Sequence, residues 1–245
     1  MRKCIFILGI ILGMQVQAQD AGLAATNLLF KNEFTANFSV HSSGLAIGMR
    51  RAWHPNALKK RAIEFEYSNL KHPKEVKIFH PFEGGRGYFF GKLNNLTTAR
   101  IGYGQEPVIV GKTDRGSIEI RYLYYGGLSA GFVKPVYLEI IYPTEVPGYY
   151  ITKVERYDPL AHNVNNIAGR AGFTEGMDEI NPALGGYGKV GFNFEYSKEQ
   201  ETVMSLELGV AFDYFPGKPQ IMANDANKRL FTSYYISLHY GLKWN

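Results

Sequence analysis

At 245 residues the chain suits one domain of the larger all-β kind, and 27 basic against 22 acidic residues give a net charge of +5, too slight an excess for a nucleic-acid footprint. The one cysteine is Cys4, which leaves no basis for a disulfide framework or a cysteine-held metal. Aromatics at 14% and 27 glycines, with no long apolar run after the N-terminal segment, point to two architectures: a secreted β-sandwich, or a barrel crossing a membrane with its strands.

The first stretch, MRKCIFILGIILGMQVQAQ, carries Arg2 and Lys3, an apolar run from Cys4 to Met14 and the small-residue pattern Val16-Gln17-Ala18. It reads as a secretory signal, residues 1–18, removed after Ala18, because the apolar run is too short to span a bilayer as a helix. Losing its two cations lowers the net charge from +5 to +3. Residues 19–245 then form the mature domain.

Strands follow as runs with a period of two. Phe34, Ala36, Phe38 and Val40 alternate with Glu33, Thr35, Asn37 and Ser39, and a weaker run covers Leu45 to Ala52 with Arg50 turned inward. Ile63, Phe65 and Tyr67 alternate with Glu64 and Glu66. Next come a run of ambiguous phase at Tyr88 to Leu93 and a run from Thr97 to Tyr103 with Arg100 inward. Ile118, Ile120, Tyr122 and Tyr124 stand against Glu119 and Arg121, followed by KPVYLEIIYP, bounded by prolines. Val190, Phe192, Phe194 and Tyr196 oppose Gly191, Asn193 and Glu195, and the run from Met204 to Tyr214 sets Glu207 and Asp213 on its polar face. The last run, YYISLHYGLKWN, places Tyr234, Ile236, Leu238, Tyr240, Leu242 and Trp244 on one face.

The sum is about ten strands, within a range of eight to twelve, and the parity decides between the two architectures. A sandwich core cannot hold Glu207 and Asp213 unpaired, whereas a barrel lumen can, with the apolar face turned to lipid. The expectation is therefore a closed antiparallel transmembrane β-barrel in the outer membrane. Its short periplasmic turns would be HPNALKKR, NN, GLSAG and KEQE. Its outward loops would be HSSG, Leu70 to Gly87, Gln105 to Gly116, Thr144 to Gly188 and Phe215 to Leu230. Gly91, Gly102, Gly126, Gly127, Gly191 and Gly209 fall in or beside strands, where bends or close approaches need them.

On the inner face the reading collects Glu33, Arg50, Glu64, Glu66, Arg100, Glu119, Arg121, Glu195, Glu207, Asp213 and Lys243, a mixed set suited to a salt-bridge network filling the lumen; the alternative is a narrow pore. Tyr240, Leu242 and Trp244 of the closing strand are the expected assembly signal for the barrel-insertion machinery. VHSSG sets His41 and Ser43 on one face at a strand end, a base-and-nucleophile spacing suited to acyl transfer, with Glu33 as a candidate orienting acid. That pairing resembles the outer-membrane lipid A deacylases, and an outer-membrane hydrolase acting on lipid A or phospholipid is the alternative function it implies.

The loop LKHPKEVKIFHPFEGGRG is basic, which suits contact with lipopolysaccharide phosphates, and its His72 and His80 with Glu75 and Glu83 match no metal-ligand spacing. The long segment from Thr144 to Gly188, with Tyr149, Tyr150, Tyr157 and Phe173, is the expected recognition or lid element. No cofactor is expected.

The runs VHSSGLAIGMRR, LKHPKEVKIFHPF, GYFFGKLNNL, YGGLSAGFVKPVYLEIIY and YYISLHYGLKW resemble a family of small, functionally uncharacterised outer-membrane barrel proteins of Gram-negative bacteria. The resemblance implies location and fold and brings no catalytic residues. The function expected is that of a structural, ligand-binding or envelope-complex accessory barrel, with outer-membrane lipid, lipopolysaccharide and a larger envelope complex as partners.

Overall fold

The computed structural model describes residues 30–79, 86–112, 117–146, 149–196, 201–223 and 227–245. The expected signal segment lies outside them, as do His80 and Glu83. Eight strands close into an antiparallel barrel: β1 (Asn32–His41), β2 (Gly44–Asn56), β3 (Lys59–Leu70), β6 (Asn94–Val110), β7 (Glu119–Pro135), β11 (Asn181–Glu195), β12 (Thr202–Tyr214) and β13 (Leu230–Trp244). Around the wall the order is β1, β13, β12, β11, β7, β6, β3, β2, and β1 pairs with β13 from Asn32 opposite Trp244 to His41 opposite Tyr235. Two short strands, β4 (Lys77–Ile78) and β5 (Tyr88–Phe89), form a small hairpin, while β8 (Tyr137–Pro143), β9 (Tyr150–Arg156) and β10 (Ile167–Arg170) form a sheet in the order β10, β8, β9. Both small sheets sit at the far end, opposite the end that holds Asn32 and Trp244.

The period of two sets which way each side chain faces. On β12, Ser205, Glu207, Ala211 and Asp213 are buried while Met204, Leu206, Leu208, Phe212 and Tyr214 face outward; on β1, Glu33, Thr35, Asn37 and Ser39 are buried while Phe34, Phe38 and Val40 face outward. A wall so greasy on its outside is stable only where hydrocarbon replaces water, and closure leaves no unpaired strand edge to that hydrocarbon.

Eight strands replace the expected ten. The run at Tyr88 to Leu93 holds only two residues of strand, and KPVYLEIIYP gives the end of β7 and then β8, which leaves the wall. The reason is burial. Leu138 and Ile140 turn into a dry cluster with Tyr88, Val136, Tyr157 and Ile167, so the greasy face of β8 is covered by protein and not by lipid.

Three expected connections move with that change. Asn94 and Asn95 open β6, and GLSAG lies inside β7, paired on both sides with β6 and β11. Its glycines mark a close approach and not a turn, since a Cβ on Gly127 would sit 1.9 Å from the Ile101 carbonyl oxygen. Gln105 to Val110 continues β6, so the β6–β7 connection lies at the same end as Asn32 and Trp244, not at the far end. HSSG remains a two-residue hairpin turn at Ser42 and Ser43.

A second dry cluster closes the far mouth. Leu70 and Leu96 from the inner wall pack with Phe215, Ile221 and Met222, which fold back from the β12–β13 connection. The Ile221 carbonyl accepts from the backbone N–H groups of Leu93 and Asn94 at 2.8 and 3.2 Å, and the Asn227 side chain accepts from the N–H groups of Ile221 and Met222, so the stopper is held by backbone bonds.

Candidate functional site

The lumen is built from charges brought together by strands distant in sequence. Arg50 is 1% exposed and meets Glu64, Glu106 at 2.7 Å and Glu207 at 2.8 Å. Lys189 reaches Glu64 at 2.9 Å and Glu207 at 2.8 Å, and Lys60 reaches Glu33 at 3.0 Å and Glu106 at 2.9 Å. Toward the far end Arg100 binds Glu66 and, at 2.5 Å, Asp213, which also accepts from Ser129 at 3.0 Å. At the opposite end Glu195 receives Lys243 at 2.6 Å and Lys112 at 3.0 Å, and Arg121 pairs with Glu119. Each carboxylate is set against a cation because, this far from water, an unmatched charge costs several kcal/mol.

Three tyrosines complete the packing. Tyr125 donates to Glu106 at 2.5 Å, Tyr187 to Glu64 at 3.1 Å and Tyr235 to Glu207 at 2.8 Å. The Tyr235 ring needs room: Gly191 and Gly209 face each other across β11 and β12, and a Cβ on either would lie 2.9 or 2.7 Å from its hydroxyl. Barrels of eight strands are just wide enough for side chains to fill, and here rings and ion pairs do so beneath the apolar stopper.

The inner-face residues named from sequence, Arg50, Glu64, Glu66, Arg100, Glu119, Arg121, Glu195, Glu207, Asp213 and Lys243, all lie along this lumen. Tyr240, Leu242 and Trp244 face outward on β13, where the Arg51 guanidinium lies 4.2 Å from the Trp244 ring. Pattern reading missed Glu106, Lys60, Lys189 and the three tyrosines. Glu106 shares the parity of Arg100, Lys60 that of Glu64 and Lys189 that of Asn193, so extending each run by a few residues would have found them.

His41, Ser43 and Glu33 separate. His41 faces the lumen with Nδ1 3.4 Å from the Ser233 hydroxyl and Nε2 3.7 Å from Glu66, while Ser43 sits in the turn with its hydroxyl unpartnered among the described residues. Glu33 lies eight residues back along β1, about 27 Å at strand rise, where it binds Lys60; it does not orient His41. Among the described residues no group of three metal-ligating side chains gathers; His72 accepts from the Lys74 N–H at 3.2 Å, and Glu75 binds the His72 N–H and Lys92.

At the far end the segment expected as a recognition or lid element divides: its described residues up to Ile180 join β8 in a cap, while Asn181 to Gly188 already belong to wall strand β11. The edge strand β9 is exposed along nearly all its length, the buried Tyr157 hydroxyl accepts from the Gly91 N–H at 3.2 Å, and Phe173 lies under the Lys134 ammonium at 4.5 Å. The Tyr137 hydroxyl binds Glu179, which raises its pKa, and burial raises those of Tyr88 and Tyr157. Burial lowers that of Lys92, against the pull of Glu75 at 2.7 Å.

No family model and no curated protein matches the chain. Among solved structures it is similar to Neisserial surface protein A (11% identity, TM-score 0.42, 88% of this chain and 97% of that one). It is also similar to the N-terminal β-barrel domain of Pseudomonas aeruginosa OprF (8%, 0.39, 87% and 97%) and to Ail, the attachment invasion locus protein of Yersinia pestis (6%, 0.34, 88% and 96%). These are likenesses of barrel shape and carry no function across.

Proposed function

We propose that the protein is an integral outer-membrane barrel that conducts nothing and serves as a scaffold, holding its far-end cap at the cell surface for ligand binding or for docking in a larger envelope complex. The observation that carries this reading is the filled lumen: ion pairs centred on Arg50 and Arg100, three packed tyrosines and the Phe215 stopper occupy the axis that a channel would need. Aqueous pores are built from barrels of about twice this strand number. With its termini on the periplasmic side, the chain would insert through recognition of β13, where Tyr240, Leu242 and Trp244 face out, and the cap would meet lipopolysaccharide or a protein partner.

Planar-bilayer recording on the purified barrel tests the reading. The wild type gives no steady conductance; an open channel of stable conductance would overturn it. Gentle detergent extraction followed by affinity capture then separates docking from a solitary surface role.

A further inference from the structure

A cleft of about 290 Å³ lies outside the barrel, between the far ends of β3, β6 and β7 and the cap. Its inner wall is the outward face of the strands: Tyr67 on β3, Thr97 on β6, and Phe132 and Lys134 on β7. Its outer wall comes from the cap, through Tyr88, Leu138, Phe173 and Ile180. The register makes this wall continuous with the lipid-facing belt. Ile101 lies opposite Leu128 and Ala99 opposite Ala130, and two residues further on Thr97 lies opposite Phe132 and Asn95 opposite Lys134. An apolar surface thus climbs from the belt, past two alanines that leave a shallow track, into a greasy cleft with a cation at its upper edge.

Three features ask for a ligand. Tyr88 is 1% exposed, lines the cleft, and its hydroxyl has no hydrogen-bond partner among the described residues, an expense rarely tolerated without a bound group. Lys134, Lys92 and Arg170 line the cleft against one carboxylate, Glu175; Lys92 is taken by Glu75, which leaves Lys134 and Arg170 in excess of Glu175. Lys134 rests over the Phe173 ring and donates to the Phe173 carbonyl, so it is held at the rim. The volume is at the lower end of the ~300 to 1,000 Å³ of small-molecule sites, enough for one chain but not a whole lipid.

Resting on the membrane reading above, we infer that this cleft takes one acyl chain of an anionic lipid from the adjoining outer leaflet, with the acidic head at Lys134 and Arg170 and the chain running between Phe132 and Ile180. Tyr88 then donates its hydroxyl to an ester or head-group oxygen of the guest.

The test uses the full mature chain in phospholipid nanodiscs doped with a diazirine-bearing acyl chain, carried in separate arms by phosphatidylglycerol, by a free medium-chain fatty acid and by its methyl ester. Photolabelled peptides are mapped by mass spectrometry. The phosphatidylglycerol arm is expected to label the 170–180 segment and Phe132 well above the opposite wall around Phe38 and Leu238. Lys134→Gln should cut that labelling about tenfold, the loss of one charge-assisted contact, and leave the methyl ester's weaker labelling unchanged. Ile180→Trp should fill the cleft and abolish the excess in every arm. Labelling by the free acid alone would overturn the leaflet-lipid source, and labelling no stronger at the cleft than at the opposite wall would overturn the site. Heat-modifiability of each variant shows separately whether the barrel itself is intact.

Discussion

The barrel and the cap are made from one chain and obey opposite rules. In the wall, Glu207 is wholly buried while Leu238 is 57% exposed; in the cap, Leu138 is wholly buried while Lys153 and Arg156 face outward. The inversion happens within a few residues, since Lys134 and Pro135 end β7 on the barrel and Tyr137 begins β8 in the cap. The difference lies in the surroundings: hydrocarbon outside the wall rewards apolar exposure along its whole face, whereas the cap, which meets water, gathers a dry cluster of its own and leaves only part of its apolar side chains, Leu160 and Phe173 among them, exposed. Strand β8 keeps the period of two seen in the wall, so the period identifies a strand without identifying which of its faces is dry.

Breaking the inverted half should cost most. Arg50→Met leaves Glu64, Glu106 and Glu207 facing one another with less counter-charge, and the expected loss is about 3–5 kcal/mol, read as a lower urea midpoint for the barrel folded in vesicles. Little change in midpoint would mean that the lumen is hydrated and screens these groups. Leu138→Ala breaks the ordinary half and should cost about 2–5 kcal/mol, confined to the cap. Limited proteolysis should then cut the cap while the barrel band keeps its heat-modifiable shift; a barrel that unfolds together with the cap would contradict two separate solvent rules.

Gly209→Ala sharpens the comparison inside the wall. The added methyl meets the Val190 carbonyl and the Tyr235 hydroxyl, an overpacking worth about 1–3 kcal/mol, and a Tyr235→Phe background should recover only the part due to the hydroxyl. The smallest effect is one of pH on the cap. Tyr88, Tyr137 and Tyr157 have raised pKa values in the folded cap, so their protonated forms are favoured there. Stability from them is complete below the ordinary phenol value of about 10 and is lost as pH rises past it. Lys92 acts oppositely and at lower pH: its lowered pKa makes the folded cap shed a proton first, so its contribution grows as pH climbs toward the ordinary lysine value of 10.5 and is constant beyond it. Protease resistance of the wild-type cap should therefore gain somewhat as pH climbs toward 10.5 before the tyrosines lose it, and Lys92→Met should show the loss without the preceding gain.

Much of the wall was legible because lipid enforces alternation without exception from Met204 to Tyr214 and from Tyr234 to Trp244. The inner face was legible for the same reason, since Arg50, Arg100 and Glu207 break an apolar pattern only if they point to an enclosed axis. Glu106 was missed because Pro107 beside it reads as loop, although Pro107 sits near the terminal end of β6, where the ladder is already breaking into a bulge at Val108. GLSAG was misread for a related reason: Gly127 and Gly131 look like turn residues, and only the three-dimensional pairing shows Gly127 against Gly102. The pairing of His41 with Ser233 joins residues 192 positions apart, which no local spacing reveals.

The inside-out wall is tested most directly by oxygen and nickel accessibility of spin labels placed one at a time from Met204 to Phe212, in a chain whose natural cysteine is Cys4 alone. Labels at Met204, Leu206, Leu208, Val210 and Phe212 should collide freely with lipid-dissolved oxygen and be shielded from aqueous nickel, while labels at Ser205, Glu207 and Ala211 are shielded from both; Gly209, which has no room for a side chain, is left unlabelled. Accessibility without a period of two, or nickel reaching the even-numbered positions, would contradict the account.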